Sequence, residues 1–338
     1  MRRPAVFLVL FFWSAAAPAA FGEWPEHGLT LVAPMFPTMP WDQETPNPQE
    51  AILEALVPRL SRELGVPVHY EIKAEGSGVL AANAVALARE DGYVLTALGN
   101  DPAVNLVIQG HTPYIWGEMA PVATAWRVVY VVVVRSGYPY NDIRGLAAGL
   151  KAGGRNTSPP RLARLKGPVG LREMMALEAA KQAGFNWELT VVDRLEPAPV
   201  LLEGQAEALV MPLADFRVYP RRDEFKVLLV LSEEEPLGAV GWPNLKNQDL
   251  HLTVNSFCAF YLPAKVNWRV RNRLSTAINN TLRLKAVAER VVETGLLPYL
   301  VDSEGVGAVL NQEYANQVKL LESFGFLESS SAPGAFPE

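Results

Sequence analysis

Few residues in this 338-residue chain are spaced as chemistry requires. The best ordered are Gly76, Gly78 and Ala81 in "EGSGVLAA", with Asp101 twenty residues beyond Ala81. Glycines between a strand and a helix match the outline of a dinucleotide-binding turn. This turn follows the second strand of its series, and an exported chain has little access to nicotinamide, so no cofactor is assigned. A glycine turn at a helix N-terminus still exposes N–H groups that can hold an anionic oxygen. It suits equally a tight turn that needs positive φ. Gly76, Ser77 and Gly78 are therefore candidate ligand contacts. Ser77 lacks the glycine spacing of a nucleophile elbow. His27, His69, His111 and His251 are scattered without metal-ligand spacing, and Cys258 reads as a small buried hydrophobe in an apolar strand. No catalytic residue and no metal ligand follow from these types, and the chain is read as a non-enzyme.

Asn100 and Asp101 follow the strand-like "GYVLTALG". Ligands of open α/β sheets bind beyond such carboxyl ends, although Asp101 could equally cap the next turn. The second candidate surface is "PMFPTMPWDQETPNPQE", Pro34 to Glu50, with five prolines, two aromatics and three acids. A strand-to-helix turn needs only a few residues. Phe36, Met39 and Trp41 could line or lid a cleft there, with Asp42 or Glu44 meeting a cationic or hydroxylated group. A surface excursion with solvated acids is the plainer alternative. Lys166, beside Gly167, and Arg194 are the natural partners of an anionic ligand. "RRDEFK" and "SEEEP" read as solvated turns.

The elements that must position these residues alternate in type. "LTLVAP", "VPVHYEI" and "GYVLTALG" read as strands separated by helices. The first helix opens at Asn47, with Pro48 in its first turn and Glu50 completing a capping box. Leu53, Leu56, Val57, Leu60 and Leu64 form its apolar stripe, interrupted by Pro58, and Gly65 ends it. "VVYVVVV" begins a second series, "LTVNSFCAFYLP" reads as a last long strand, and the tail is helical. The expected fold is α/β, with parallel or mixed sheets flanked by helices in two lobes joined by two crossover strands. A cleft between such lobes is the default ligand site.

Residues 1–22 read as a cleaved export signal: a basic start, the apolar "AVFLVLFFW", then small residues with Ala20 and Gly22 at the cleavage positions. The apolar run is shorter than the ~20 residues a spanning helix needs. Cys258 lies far from the leader, so no lipid anchor is expected, and one cysteine excludes an intrachain disulfide framework. Loss of Arg2 and Arg3 leaves 28 basic against 36 acidic residues. A chain this acidic offers no general field for nucleic acid or anionic membrane. Lobe one is expected over 23–127 plus 253–327, lobe two over 128–252, and a disordered Ser/Pro-rich tail over 328–338.

The mature chain resembles, almost end to end, the substrate-binding receptors of tripartite tricarboxylate transporters, the Bug-type periplasmic proteins. "WPEHGLTLVAP", "ALVPRLSRELGVPVHYEIKAEGSG", "VALAREDGYVLTALGN", "MAPVATAWRVVYVVVVRSGYPYNDIRGL" and "EPAPVLLEGQAEALV" match that family's segments in order and spacing. The resemblance implies a type II-like flytrap in the periplasm. It implies a small organic acid held between the lobes, permease subunits as membrane partner, no cofactor and a monomer. The chain departs from the family where the ligand should sit. The family's glycine-rich first loop is replaced by the Pro34–Glu50 stretch, its serine-rich loop by "RLKGPVGLREM", and its V-P-Y-K-G by "VVDRLEP". Lost glycines and hydroxyls remove close backbone approach and hydrogen-bond donors. The expectation is a solute receptor with an atypical site. The alternative is a flytrap that has left transport for ligand sensing or protein interaction.

Overall fold

A computed structural model describes residues 24–34, 48–73, 76–154 and 158–327. The chain opens with β1 (Leu29–Ala33), α1 (Pro48–Leu64), β2 (Val68–Ile72), a tight turn at Gly76–Gly78, α2 (Val79–Ala86) and β3 (Val94–Gly99). A π-helical turn, Asp101–Asn105, runs into the short α3 (Leu106–Ile108), and β4 (Met119–Arg127) follows. After two residues the second series begins. It comprises β5 (Tyr130–Arg135), α4 (Ile143–Ala152), β6 (Arg161–Leu165), α5 (Leu171–Ala183), β7 (Glu188–Val192), β8 (Ala208–Pro212), α6 (Leu213–Val218) and β9 (Phe225–Val230). The chain returns through β10 (Phe257–Pro263), α7 (Trp268–Arg283), α8 (Lys285–Glu293), β11 (Leu297–Pro298) and α9 (Val306–Ser323).

The strands form two mixed sheets flanked by helices, in the orders β11-β4-β10-β3-β1-β2 and β7-β6-β8-β5-β9. β1 pairs parallel with β2 and β3, and the returning β10 lies antiparallel between β3 and β4. In the second sheet β6 runs parallel to β7 and β8, and β5 runs antiparallel to β8 and β9. The chain crosses between sheets at Val128–Val129 and again over residues 231–256. The two crossings are bonded together through Val128 N–H to the Ser256 carbonyl, 2.9 Å.

Burial follows the periodicities in the sequence. α1 buries Leu53, Leu56, Val57, Leu60 and Leu64 and continues through Pro58. Its stripe packs with α7 and α8 on the outer face of the first sheet, where Cys258 is also buried. A separate cluster fills the far side of the second sheet. A third cluster joins the lobes, with Val32, Leu98 and Phe257 contributed by the first and Val132, Leu162, Leu171 and Met174 by the second.

One expected element is shorter than its sequence suggests. The strand in "LTVNSFCAFYLP" begins only at Phe257. Upstream, helix side chains take the backbone bonds a ladder would have used. Glu178 of α5 accepts from Thr253 N–H at 3.1 Å and Thr253 Oγ1 at 2.8 Å, and Glu313 of α9 accepts from Asn255 N–H at 3.0 Å. An element from each lobe thus grips the second crossing.

Candidate functional site

β3 delivers its last residues directly into the space between the lobes. Asn100 is fully buried, donates to the Asn255 carbonyl at 2.6 Å and accepts from Phe257 N–H at 3.1 Å. Both ends of its amide are used, so it ties β3 to the second crossing and the start of β10. Asp101, one residue on, reaches the other lobe. Its Oδ1 accepts from Leu171 N–H, the first amide of α5, at 2.8 Å and from Asn105 Nδ2 at 2.8 Å. Asn105 Nδ2 also donates to the Val169 carbonyl at 2.8 Å. Gln109 takes the same residue at both ends, Nε2 to the carbonyl at 2.9 Å and Oε1 from the N–H at 3.3 Å. Asp101, Asn105 and Gln109 recur every fourth residue and so share one side of their helical segment. They form a polar ladder across the cleft.

The glycine turn stands beside this ladder. Gly76 and Gly78 have φ of +67° and +90°, so side chains there would be strained. A Cβ on Gly78 would lie 3.1 Å from Pro102 and 3.3 Å from Pro34. Close approach of three backbone segments therefore explains that glycine as well as its φ.

Charge collects around Asp101. Arg172 Nε pairs with Glu173 Oε1 at 2.8 Å in the first turn of α5. Burial works against the Arg172 charge, but Glu173, Tyr130 and Asp101 outweigh it and keep the guanidinium protonated. Burial raises the Asp101 carboxyl above its ordinary range; the Leu171 N–H opposes the rise and the Glu173 charge adds to it. In α6, burial pushes Asp215 up to about 6, with Arg172 opposing. Tyr130, first residue of β5, is pushed up to about 12 by burial and by Asp101. The cluster comprises three carboxyls, one phenol and a single guanidinium. A cavity of about 290 Å³ lies against the crossings, lined by Arg127, Met175, Glu233, Glu234, Asn255 and Ser256 among others. Its lining does not include Asp101, Arg172 or Glu173; Ser256, hydrogen-bonded to Tyr130, is the link.

Of the residues singled out in the sequence, the fold brings Gly78 against the segment that carries Asn100 and Asp101, and Gly76 stands exposed at the start of the same turn. Lys166 and Gly167 are exposed, Gly167 at φ +121° with the Arg164 guanidinium on its carbonyl. Arg194 is 71% exposed and lies 3.5 Å from Glu196. Neither Lys166 nor Arg194 is among the charges acting on Asp101, Tyr130 or Asp215. Phe36, Met39, Trp41, Asp42, Glu44 and the helix-opening Asn47 lie outside the described residues, as does the side chain of Ser77. The four histidines form no metal cluster among the described residues.

Sequence reading did not single out Tyr130, Arg172, Glu173 or Asp215. A signal was present for two of them: "GLREMMALEAAKQAG" sets an Arg-Glu pair in an otherwise apolar helix start. α5 is buried around most of its circumference, Glu173 and Glu178 included. A helix buried on all sides with charges in it places those charges against partners.

Two α/β lobes, linked by two crossings and closed over a polar cleft, define the class of two-lobed periplasmic binding proteins. The family model described as "Tripartite tricarboxylate transporter family receptor" matches residues 52–326. The chain belongs to that family. A UPF0065 protein of Bordetella bronchiseptica is 24% identical over 268 residues, 78% of either chain. Among solved structures, a TctC solute-binding protein from Polaromonas superposes with a TM-score of 0.68 at 18% identity, covering 89% of this chain and 99% of that one. MatC from Rhodopseudomonas palustris, solved with bound malate, gives 0.65 at 17% identity, covering 88% and 100%. Likeness at these identities shows the fold. Among the described residues no helix is long and apolar enough to cross a membrane.

Proposed function

We propose that this chain is an exported, periplasmic solute receptor without bond-making chemistry. It closes two lobes on a small organic ligand and presents it to the permease subunits of a tripartite tricarboxylate-type transporter. Lobe one spans 23–127 with 253–327 and lobe two 128–252, and the leader 1–22 is removed. Its site differs from one built to hold a dicarboxylate. The observation that carries this reading is the Asp101 carboxylate on Leu171 N–H. A flytrap works by contacts made only when its lobes meet, and this contact joins the lobes at the carboxyl end of β3. The chain places its own carboxylate on the first amide of α5, a position that would otherwise suit an anionic solute.

The test is native mass spectrometry of protein purified from the periplasm of an expressing cell. A small-molecule adduct that is lost on unfolding is expected, and after its removal the scattering radius of gyration should shrink when the molecule is added back. A bare protein mass, with no response in shape or melting to extracts of small metabolites, would sink the receptor reading.

A further inference from the structure

The cavity of about 290 Å³ against the two crossings is separate from the polar ladder of the cleft. Its walls include Leu297 of β11 and the Leu231–Glu234 stretch that follows β9. β11 and β9 are edge strands, at the opposite end of their sheets from β2 and β7. The cavity therefore lies on the other side of the hinge from the glycine turn after β2. At the ~30 Å³ that liquid water takes per molecule, its volume corresponds to about ten non-hydrogen atoms.

Three charged side chains line it: Arg127, Glu233 and Glu234. Arg127 Nη1 donates to Glu234 Oε1 at 2.7 Å, and the guanidinium carbon lies 4.6 Å from the centre of the Tyr299 ring. Its Nε is buried and has no hydrogen-bond partner among the described residues. A buried donor left unpaired is costly, and native structures supply it with an acceptor. Nε and Nη2 form the edge of a guanidinium that grips a carboxylate through two parallel bonds. Glu233 stands at the exposed rim, where its Oε1 meets His251 Nδ1 at 2.9 Å. Met175, Leu245, Leu252 and Val254 supply an aliphatic wall. This lining discriminates by charge. A simple anion satisfies Arg127 Nε and is repelled by two carboxylates. A simple cation suits the carboxylates and leaves Nε unpaired. A molecule that carries both charges meets both demands.

We propose that this cavity is a ligand site of its own, taking a small zwitterion with an aliphatic body, an α-amino acid of about leucine's size. The carboxylate takes the Nε edge of Arg127, the ammonium lies toward Glu233 and Glu234, and the side chain rests on the aliphatic wall. The site is distinct from the cleft, so the inference stands apart from the receptor reading.

Calorimetric titration of the full-length mature protein with L-leucine, 4-methylpentanoate and 3-methylbutylamine tests this. The three share one body and carry both charges, the negative one alone or the positive one alone. Leucine should bind at least tenfold more tightly than either analogue. Arg127→Lys keeps the charge and loses the fork, and Leu252→Trp fills the cavity from a half-buried position. Each should weaken leucine binding tenfold or more, with melting temperatures measured to show that both variants fold. A smaller margin over either analogue overturns the inference, as does silence to all three at millimolar concentration. Leucine binding that ignores either folded variant places the amino acid elsewhere and overturns it too.

Discussion

Asn100 shows how a residue at a binding cleft can be occupied with architecture. Its side-chain amide serves a donor and an acceptor on the second crossing, both more than a hundred and fifty residues away. Replacement by alanine would leave the buried Phe257 N–H without a partner and release the carbonyl of Asn255, a residue that is exposed. Loss of a buried partner costs about 1–3 kcal/mol, so Asn100→Ala should lower the midpoint of urea unfolding by an amount equivalent to about 1–3 kcal/mol. An unchanged midpoint would show that water replaces the amide. Asp101 was legible as a residue at a strand's carboxyl end, because position at a strand terminus is a local property. Its partners were not: Leu171 is seventy residues away, and nothing in the spacing of "GNDP" points to the start of another helix. Arg172 and Glu173 were obscured for the same reason, since a charged pair on a helix is ordinarily solvated.

Elements written by periodicity were the most legible. The α1 stripe, the β-branched run of β5 and the amphipathic tail helices appear where their patterns place them, because burial of one face is decided within the element. The segment before β10 looked like strand and is not, because its backbone partners are the Glu178 and Glu313 side chains. That substitution has a pH signature. Burial pushes the Glu313 carboxyl up to about 7 from an ordinary 4.5, with the Gln317 and Asn255 bonds opposing. A folded-state value above the unfolded one gives stability that is fully present below pH 4.5 and is lost as pH rises through 7. The intact protein should therefore lose on the order of 1–3 kcal/mol from this group between pH 5 and pH 8. Glu313→Gln should flatten that part of the profile. Melting curves at pH 5, 6.5 and 8 for both proteins check it, and parallel profiles would refute the assignment.

For the whole molecule, the ladder of Asp101, Asn105 and Gln109 makes lobe closure a property of the chain itself. Gln109→Ala removes the two Gln109 bonds to the Val169 peptide and leaves the Asn105 bond to its carbonyl and the apolar cluster between the lobes in place. Hydrogen exchange at Val169 should accelerate at least tenfold, with the amides of β5 and β8 unchanged. Equal protection in the variant would mean that the Gln109 bonds do not hold the Val169 peptide in place. The threading of the sheets also sets an order of events. The second sheet is built from one continuous stretch between Tyr130 and Val230, whereas the first has β10, the return strand, near its middle. Until residue 257 has arrived, β3 and β4 have no strand between them. The inserted lobe therefore has all its strands before its host does, and the host sheet is completed only when one late strand is captured between two early ones and β11 is added at its edge.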